Sequence, residues 1–442
     1  MKSINDVFLS FLEKTLGTAN VVSDARMLDA LAAGSFRPAA LCRPGGAEEA
    51  AAVVRLAAEH KVPLVPCGGW TAQAFGEAAP AGALAVSLQR LDKLVEYNPD
   101  DLVATAQAGM SFGALQAALA ERGQCLPLDA PEHATLGGLV ATDRHGPRRL
   151  LYGSLRDMLL GLAVVNGDGV PRRCGGRVVK NVTGYALEKL YIGSLGTLGL
   201  LTEVTFKLRP LPETAGVQEL TAPNFELGFG VVRELAMRLP FAAVTASFPG
   251  KPFSAQLGLE AAPPDHARML REIEAAVLLT GQGLEFSGAA QTRADADEYP
   301  ARPRRLRAVQ LNNGQEVVPE LLARLTWPCR AGDFAGRMAK VDVAAQEAGF
   351  GALMAFFDFP GQVSLELFAE HGVAQGVPGN LDRLVRSLRG EGCAATVAWK
   401  SAAQPLTEKV FGPPRPEWKL MREIKRQFDP AGILNPGRFG PF

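Results

Sequence analysis

The chain has 442 residues, 46 Lys+Arg against 46 Asp+Glu, 47% hydrophobic and 21% charged residues. That length suggests about three folding units, and the apolar fraction excludes global disorder. Balanced charge argues against a nucleic-acid or anionic-membrane partner, and no apolar run reaches the ~20 residues of a membrane span.

The N-terminal MKSINDVFLSFLEKTLG carries Asp6, Glu13 and Lys14 inside its apolar pattern, which predicts an amphipathic helix rather than a signal-peptide core. In Ala47–His60, Ala50, Val53, Val54, Ala57 and Ala58 share one helical face. A proline-fenced run, Lys61–Pro66, and a second apolar run, Leu84–Leu88, complete a β–α–β unit. Val95–Tyr97 and Leu102–Ala106 read as a hairpin turned at Asn98-Pro99-Asp100. Ser111 is placed to cap a helix from Phe112 to Arg122, with Gly123 just past its end.

After about Leu211 the texture changes. Helices are expected at Asn224–Arg238, Asp265–Leu279, Asp333–Ala348 and Asn380–Arg389. Strands are expected at Ala242–Ser247, Ser254–Leu259, Leu321–Trp327, Leu353–Phe357, Val363–Phe368 and Ala394–Trp399. This is a βαββαβ repeat of ferredoxin-like type, which gives an antiparallel sheet with helices on one face. Residues 287–318 read as a polar connection, and Glu417–Gln427 as a last helix stopped by Asp429-Pro430-Ala431-Gly432.

Three glycine-rich loops carry the functional signal. Pro66-Cys67-Gly68-Gly69-Trp70-Thr71-Ala72-Gln73, ending near Gly76, follows a strand. Its backbone N–H groups can converge on an anion such as a diphosphate; the alternative is a tight surface turn. Thr135-Leu136-Gly137-Gly138 is the second loop, and Gly193-Ser194-Leu195-Gly196-Thr197-Leu198-Gly199 the third. No Gly-Lys-Ser/Thr follows any of them, and none is a GxGxxG opening a helix from the first strand. Triphosphate-loop and dinucleotide-fold readings are therefore disfavoured.

With TLGGLVAT, RRLLYGSLRDMLLGLAVVNGDG, VVKNVTGYALEKLYIGSLGTLGLLTEVTFKLRP and the ending FDPAGILNPGRF, the chain resembles the FAD-linked 2-hydroxy-acid oxidases. Their FAD-binding domain is of the vanillyl-alcohol oxidase and para-cresol methylhydroxylase (PCMH) type. The resemblance covers about residues 37–212 and 394–442. It implies an α+β fold: a PCMH-type two-subdomain FAD-binding domain, a cap domain with an antiparallel sheet, and a C-terminal segment that returns to the FAD domain. The expected division is 1–36 as an N-terminal helical segment, 37–212 as the FAD domain, 213–400 as the cap and 401–442 as the return.

By the same resemblance, Pro66, Cys67, Gly68, Gly69, Trp70, Thr71, Ala72, Gln73 and Gly76 would wrap the diphosphate, with Thr135, Gly137, Gly138 and Ala141 against it. Tyr152, Gly153, Ser154 and Asp157 would also touch FAD; Gly196, Leu200 and Leu201 would lie near its adenosine end; Asn435 and Arg438 would return beside the flavin. Lys180 and Asn181, before the Gly184-Tyr185 turn, could reach its polar atoms. No histidine occupies the first loop, so FAD is expected to be non-covalent, with Cys67 a small residue near phosphate.

Catalytic members of the family carry an HxGDGNxH-type motif in the cap and an EHGxG stretch before the last helix. Here only His60, His133, His145, His266 and His371 exist, with no HxH or HxxxH pair, so no metal site is expected. Glu370-His371-Gly372 matches the second motif only in part and lies too far upstream. The six cysteines form no CxxC, which argues against an iron–sulfur cluster or zinc bound by this chain alone; they read as small buried hydrophobes of a reducing cytoplasm.

An intact FAD domain without those histidines resembles the E subunit of three-subunit bacterial glycolate oxidase. That implies a catalytic flavin subunit and an iron–sulfur subunit as partners, a small 2-hydroxy acid as the substrate of the complex, and a cytoplasmic site with any membrane association made through partners. The alternatives are a self-sufficient dehydrogenase using Lys400, Tyr185 or His145 as base, or an assembly subunit whose FAD is structural or absent. The clusters Arg144–Arg149 and Arg302–Arg307 read as solvated faces, with Arg148 and Arg149 open to an anion near the flavin.

Overall fold

A computed structural model describes residues 4–31, 36–73, 75–144, 146–177, 185–248, 253–280, 283–292, 309–310, 316–317, 321–348, 352–358, 361–368, 380–391, 393–400, 406 and 409–440. His145, Lys180, Asn181, Gly184, the Arg302–Arg307 cluster and Glu370-His371-Gly372 lie outside them.

The chain divides into two units. The first comprises Met1–His145, Ser154–Pro210 and Pro413–Phe442; the second comprises Gly146–Gly153 and Leu211–Gly412. Residues 146–153, expected within the FAD domain, thus group with the second unit. The N-terminal helix, Asp6–Leu16, belongs to the first unit, where it buries Phe8, Leu12 and Leu16 in the same core as Val53, Val54, Leu84 and Leu434.

The first unit holds two sheets. In one, Ala40–Cys42, Leu84–Ser87 and Leu64–Cys67 run parallel, with Val21–Val22 antiparallel at the edge. The helix Ala47–His60 makes the crossover, starts with Glu48 and Glu49 at its positive end and stops at Lys61 in the left-handed region. The other sheet is antiparallel, in the order Leu94–Asn98, Val103–Gln107, Leu200–Lys207, Leu159–Val165 and Pro171–Gly175. Its central strand Leu200–Lys207 is almost wholly buried. The predicted helix after Ser111 spans Phe112–Ala120, and the Ser111 hydroxyl accepts from the Ala114 N–H.

The second unit is one eight-stranded antiparallel sheet made of two βαββαβ halves. In the first half the strand order is Glu285–Thr292, Thr214–Ala222, Phe253–Ala261, Ala243–Phe248; in the second it is Ala352–Asp358, Gln362–Phe368, Leu321–Pro328, Thr396–Lys400. Each half has its sequence-first strand beside its sequence-last, the ferredoxin-like arrangement. The halves join where Thr245 faces Asp358 and Phe248 faces Ala355. Four helices, Phe225–Arg238, Pro263–Thr280, Ala331–Glu347 and Asn380–Gly390, complete the repeat.

Two strands of this sheet differ from the sequence reading. Residues 287–292, read as connection, are the end of strand Glu285–Thr292, which pairs along Thr214–Ala222 from Glu285↔Thr221 to Thr292↔Thr214. An edge strand keeps one side in water, so its polar residues obscure the strand pattern. Thr214–Ala222 itself, TAGVQELTA, buries alternate residues and was hidden by two polar ones, Gln218 and Glu219.

Candidate functional site

The three glycine loops meet within the first unit. The first leaves the carboxyl end of strand Leu64–Cys67, the place where parallel α/β sheets present a crevice. Thr135 caps the helix Leu136–Thr142, its hydroxyl accepting from Gly138 N–H at 3.3 Å. The third loop runs into strand Leu200–Lys207. Between them lies an open cleft lined by residues of all three loops.

The first loop is glycine for a steric reason. A Cβ on Gly68 would stand 2.1 Å from Thr135 Oγ1, and one on Gly69 would stand 1.9 Å from the His133 carbonyl oxygen. The first loop thus packs directly on the second, whose own amides are held within the fold, Leu136 N–H by the Met110 carbonyl, Gly137 N–H by the Ala108 carbonyl and Gly138 N–H by Thr135 Oγ1. Trp70 takes a positive φ of 58°, which is costly for a bulky residue, and its ring stacks on Phe36 with centroids 6.4 Å apart.

The C-terminal tail closes the ring. Leu64 N–H donates to Ile433 carbonyl and Asn435 N–H to Leu64 carbonyl. Arg438 donates through Nη1 to the Glu77 carbonyl at 3.0 Å and through Nη2 to the Gln73 carbonyl, tying the end of the first loop. Burial lowers the Arg438 pKa to about 10, so the guanidinium keeps its charge at neutral pH. Asn435 donates through Nδ2 to the Leu195 carbonyl at 2.6 Å, tying the third loop. Behind both, Lys425 Nζ donates to the carbonyls of Thr197 and Leu434, each at 2.7 Å, and to Asp429.

Of the sequence-predicted residues, Pro66, Cys67, Gly68, Gly69, Trp70, Thr71, Ala72, Gln73, Thr135, Gly137, Gly138, Ala141, Gly196, Leu201, Asn435 and Arg438 line this cleft. Six do not. Leu200 points into the core beside Leu84 and Val165 because side chains alternate along a strand, which leaves Leu201 for the cleft. Gly76 supports the wall instead: its φ is 96°, and its missing Cβ lets the Arg438 carbonyl accept from Glu77 N–H at 3.0 Å. Ser154 and Asp157 form a capping box, and the Ser154 hydrogen bonds hold the Asp157 carboxyl below its ordinary range. Tyr152 and Gly153 belong to the second unit, where the Tyr152 hydroxyl donates to Glu260 Oε2 at 2.7 Å. There, too, the Arg148 guanidinium pairs with the Glu260 carboxylate at 2.6 Å.

Sequence reasoning missed Phe75, Leu88, Ala108, Thr142, Leu195 and Gly199 as lining residues. Leu195 and Gly199 stood inside a loop already singled out. Ala108 and Leu88 follow strand ends and carry no motif.

The lining suits a large, partly planar anion. Small residues admit close backbone approach, and a buried cation stands at the wall whose hydrogen-bond partners among the described residues are carbonyls. Asn435 Oδ1 is buried without a partner among the described residues. These features fit a flavin dinucleotide. Burial raises the Cys67 pKa well above the usual thiol range, so Cys67 stands as a neutral thiol, a poor nucleophile. Among the described residues no group of three His, Cys, Asp or Glu could hold a metal, and no helix is long and apolar enough to cross a membrane.

Comparison with known proteins agrees. Residues 38–175 match an FAD binding domain, and residues 404–439 match the C-terminal domain of FAD linked oxidases. The chain is 40% identical over 192 residues to D-2-hydroxyglutarate dehydrogenase of Xanthomonas citri pv. viticola, covering 43% of this chain and 41% of that one. It is 41% identical over 165 residues to glycolate oxidase subunit GlcE of Escherichia coli (strain K12), covering 37% and 47%. Over a longer stretch of 407 residues it is 28% identical to D-lactate dehydrogenase of Archaeoglobus fulgidus, covering 90% of each chain. The first two alignments thus span less than half of either relative. A structure of p-cresol methylhydroxylase with substrate bound superposes with TM-score 0.71 at 18% identity, covering 98% of this chain and 96% of that one, which shows a PCMH-type fold.

Proposed function

We propose that this chain, which belongs to the FAD-linked 2-hydroxy-acid oxidase family and takes FAD as its cofactor, is the FAD-holding subunit of a glycolate (2-hydroxy acid) oxidase or dehydrogenase complex. Its flavin would relay electrons from a catalytic flavin subunit to an iron–sulfur subunit. The observation that carries this reading is a cleft lined by all three glycine loops and the tail in a chain without the histidine motifs that catalytic members of the family carry.

Bound FAD supplies a hydride- and electron-accepting ring. The chain's residues supply the grip. Small residues of the first two loops line the cleft, Arg438 adds a buried positive charge, and Asn435 and Lys425 hold the third loop in place. The neutral Cys67 thiol and the absence of a histidine from the first loop support non-covalent binding. Among histidines of the described residues, His60 packs on Phe8 and Phe11, His133 is exposed, and His266 is buried in a helix. None is arranged with a second histidine as a base and orienter. The six cysteines are free, so onward transfer through a cluster needs another chain.

The long alignment with a D-lactate dehydrogenase favours a second reading, a self-sufficient D-2-hydroxy-acid dehydrogenase. Tyr185, 92% exposed, is a base candidate for it among the described residues. Anaerobic addition of glycolate or D-lactate to the isolated, FAD-loaded chain separates the two. Under the relay reading the flavin stays oxidised until the catalytic subunit is added. Rapid bleaching of the chain alone sinks the relay and establishes the second reading. A chain that purifies colourless and gains no stability from FAD leaves only an assembly role.

A further inference from the structure

In the second unit, strand Leu321–Pro328 pairs antiparallel with strand Thr396–Lys400, Leu325 facing Val397 and Thr326 facing Thr396. Continued one residue at a time, that register carries Trp327 to Ala395 and Cys329 to Cys393. Burial follows the same alternation. Leu325, Trp327 and Cys329 on one chain, and Val397, Ala395 and Cys393 on the other, are all buried in one core. Both ends are fixed: Cys329 N–H donates to the Gly361 carbonyl and Cys393 N–H to the Leu388 carbonyl, each at 3.0 Å. Opposite residues of an antiparallel pair have Cα atoms about 4.5–5.5 Å apart, inside the span of about 4.4–6.8 Å that a disulfide takes. Of the other four cysteines, Cys42 and Cys67 have strand Leu84–Ser87 between them, Cys125 faces Arg209 and Cys174 faces Leu162.

The surroundings suit a reactive thiol. Arg337 Nη1 donates to Cys393 Sγ at 3.6 Å, and a cation beside a thiol favours the thiolate. Burial raises the Cys329 pKa, Arg337 opposes that, and Cys393 adds to it, so the guanidinium and both sulfurs form one electrostatic cluster. Cys393 also lines an open cleft with Asp333, Arg337, Lys340 and Glu391, which gives a small oxidant a path to it.

We infer that Cys329 and Cys393 are a redox pair that closes into a reversible disulfide when a hydroperoxide enters this cleft. The Cys393 thiol takes one oxygen from hydrogen peroxide, giving a sulfenic acid and one water. The Cys329 sulfur then attacks the sulfenic sulfur, forming the S–S bond and expelling the second water. The two thiols lose two electrons and the peroxide gains them. The bond ties the end of one strand to the chain entering its neighbour, and a thiol reductant reopens it. The inference is independent of the cofactor reading.

The experiment gives hydrogen peroxide to the full-length protein, purified reduced, at neutral pH. Remaining thiols are blocked with N-ethylmaleimide and the peptides read by mass spectrometry. The expected result is loss of two of the six free thiols and a peptide pair joined through Cys329 and Cys393 that dithiothreitol separates. Cys329→Ala should leave Cys393 as a sulfenic acid captured by dimedone, and Cys393→Ala should leave Cys329 reduced. A different pairing, over-oxidation without the cross-link, or all thiols left intact overturns the inference. The wild-type cross-link decides it even where an alanine variant fails to fold.

Discussion

The Arg148 guanidinium meets the Glu260 carboxylate at 2.6 Å, with side-chain exposures of 1% and 4%. The Tyr152 hydroxyl donates to the other carboxylate oxygen. The segment Gly146–Gly153 is thereby pinned to strand Phe253–Ala261 inside the second unit. Removing one partner strands the other as a buried charge. Glu260→Ala should lower stability by about 3–5 kcal/mol, read by urea unfolding. Tyr152→Phe should cost about 1 kcal/mol. The double variant Arg148→Met, Glu260→Leu should recover most of the Glu260→Ala loss, because no charge is left without a partner. If Glu260→Ala proves neutral, the pair does not anchor the segment.

Glycine at 69 is demanded by contact rather than by φ. Any Cβ there must push the His133 carbonyl away, since the clashing atom is backbone and cannot rotate aside. Gly69→Ala should abolish FAD binding or weaken it by more than about tenfold, with a thermal shift of the apoprotein of several degrees downward. Gly230→Ala is the matched control. Gly230 lies inside the helix Phe225–Arg238, and a Cβ there meets nothing within 4 Å. It should stabilise the protein by up to about 1 kcal/mol through helix propensity. Equal behaviour of the two variants in an FAD titration would refute the loop-on-loop account.

Much of this was legible in the sequence, for identifiable reasons. Helices with strong periodicity and a capping residue, such as Phe112–Ala120 after Ser111 and Phe225–Arg238 after Asn224, came out within a residue or two. The glycine loops announced the cleft because only glycine tolerates Thr135 and His133 at such distances. The sequence could not tell Leu200 from Leu201, since that choice is a register on a buried strand with apolar residues on both faces. It could not show that Arg148 and Tyr152 turn to Glu260, a residue more than a hundred positions away. Nor could it reveal Lys425 and Asn435 as carbonyl clamps on the third loop, because the tail meets that loop only after folding.

His266 should make the second unit sensitive to acid. It is buried in the helix Pro263–Thr280, its Nε2 has no partner among the described residues, and burial lowers its pKa below the usual 6.5. In the unfolded chain His266 takes up a proton near pH 6.5; in the folded protein it does so only at lower pH. Its contribution to stability is therefore complete above about pH 6.5 and is lost progressively as pH falls toward the folded-state value. His266→Leu removes this titration and fills an apolar site. The difference in unfolding free energy between variant and wild type should grow in the variant's favour from pH 7.5 to pH 5. A difference that stays constant over that range shows that His266 is not the group responsible.

Lys425 is a buried charge of the first unit. Burial lowers its pKa, and Asp429, one helical turn on, counteracts that by holding the cation. Asp429 also accepts from Ile433 and Leu434 N–H, so the pair fixes the turn that leads into Asn435. Lys425→Met keeps the stem's packing but leaves a buried carboxylate without its counter-ion and two carbonyls, of Thr197 and Leu434, without the ammonium donor. A loss of about 3–5 kcal/mol in stability is expected, together with faster FAD release as the third loop loosens. Lys425→Arg is a poor substitute, because three acceptors converge on a single ammonium and a planar fork cannot reproduce that geometry. Stopped-flow release of FAD into an excess of an FAD-specific apoenzyme as scavenger reads the rate directly. A Met variant that is less stable yet releases FAD at the wild-type rate would confine Lys425 to folding and detach the tail from cofactor retention.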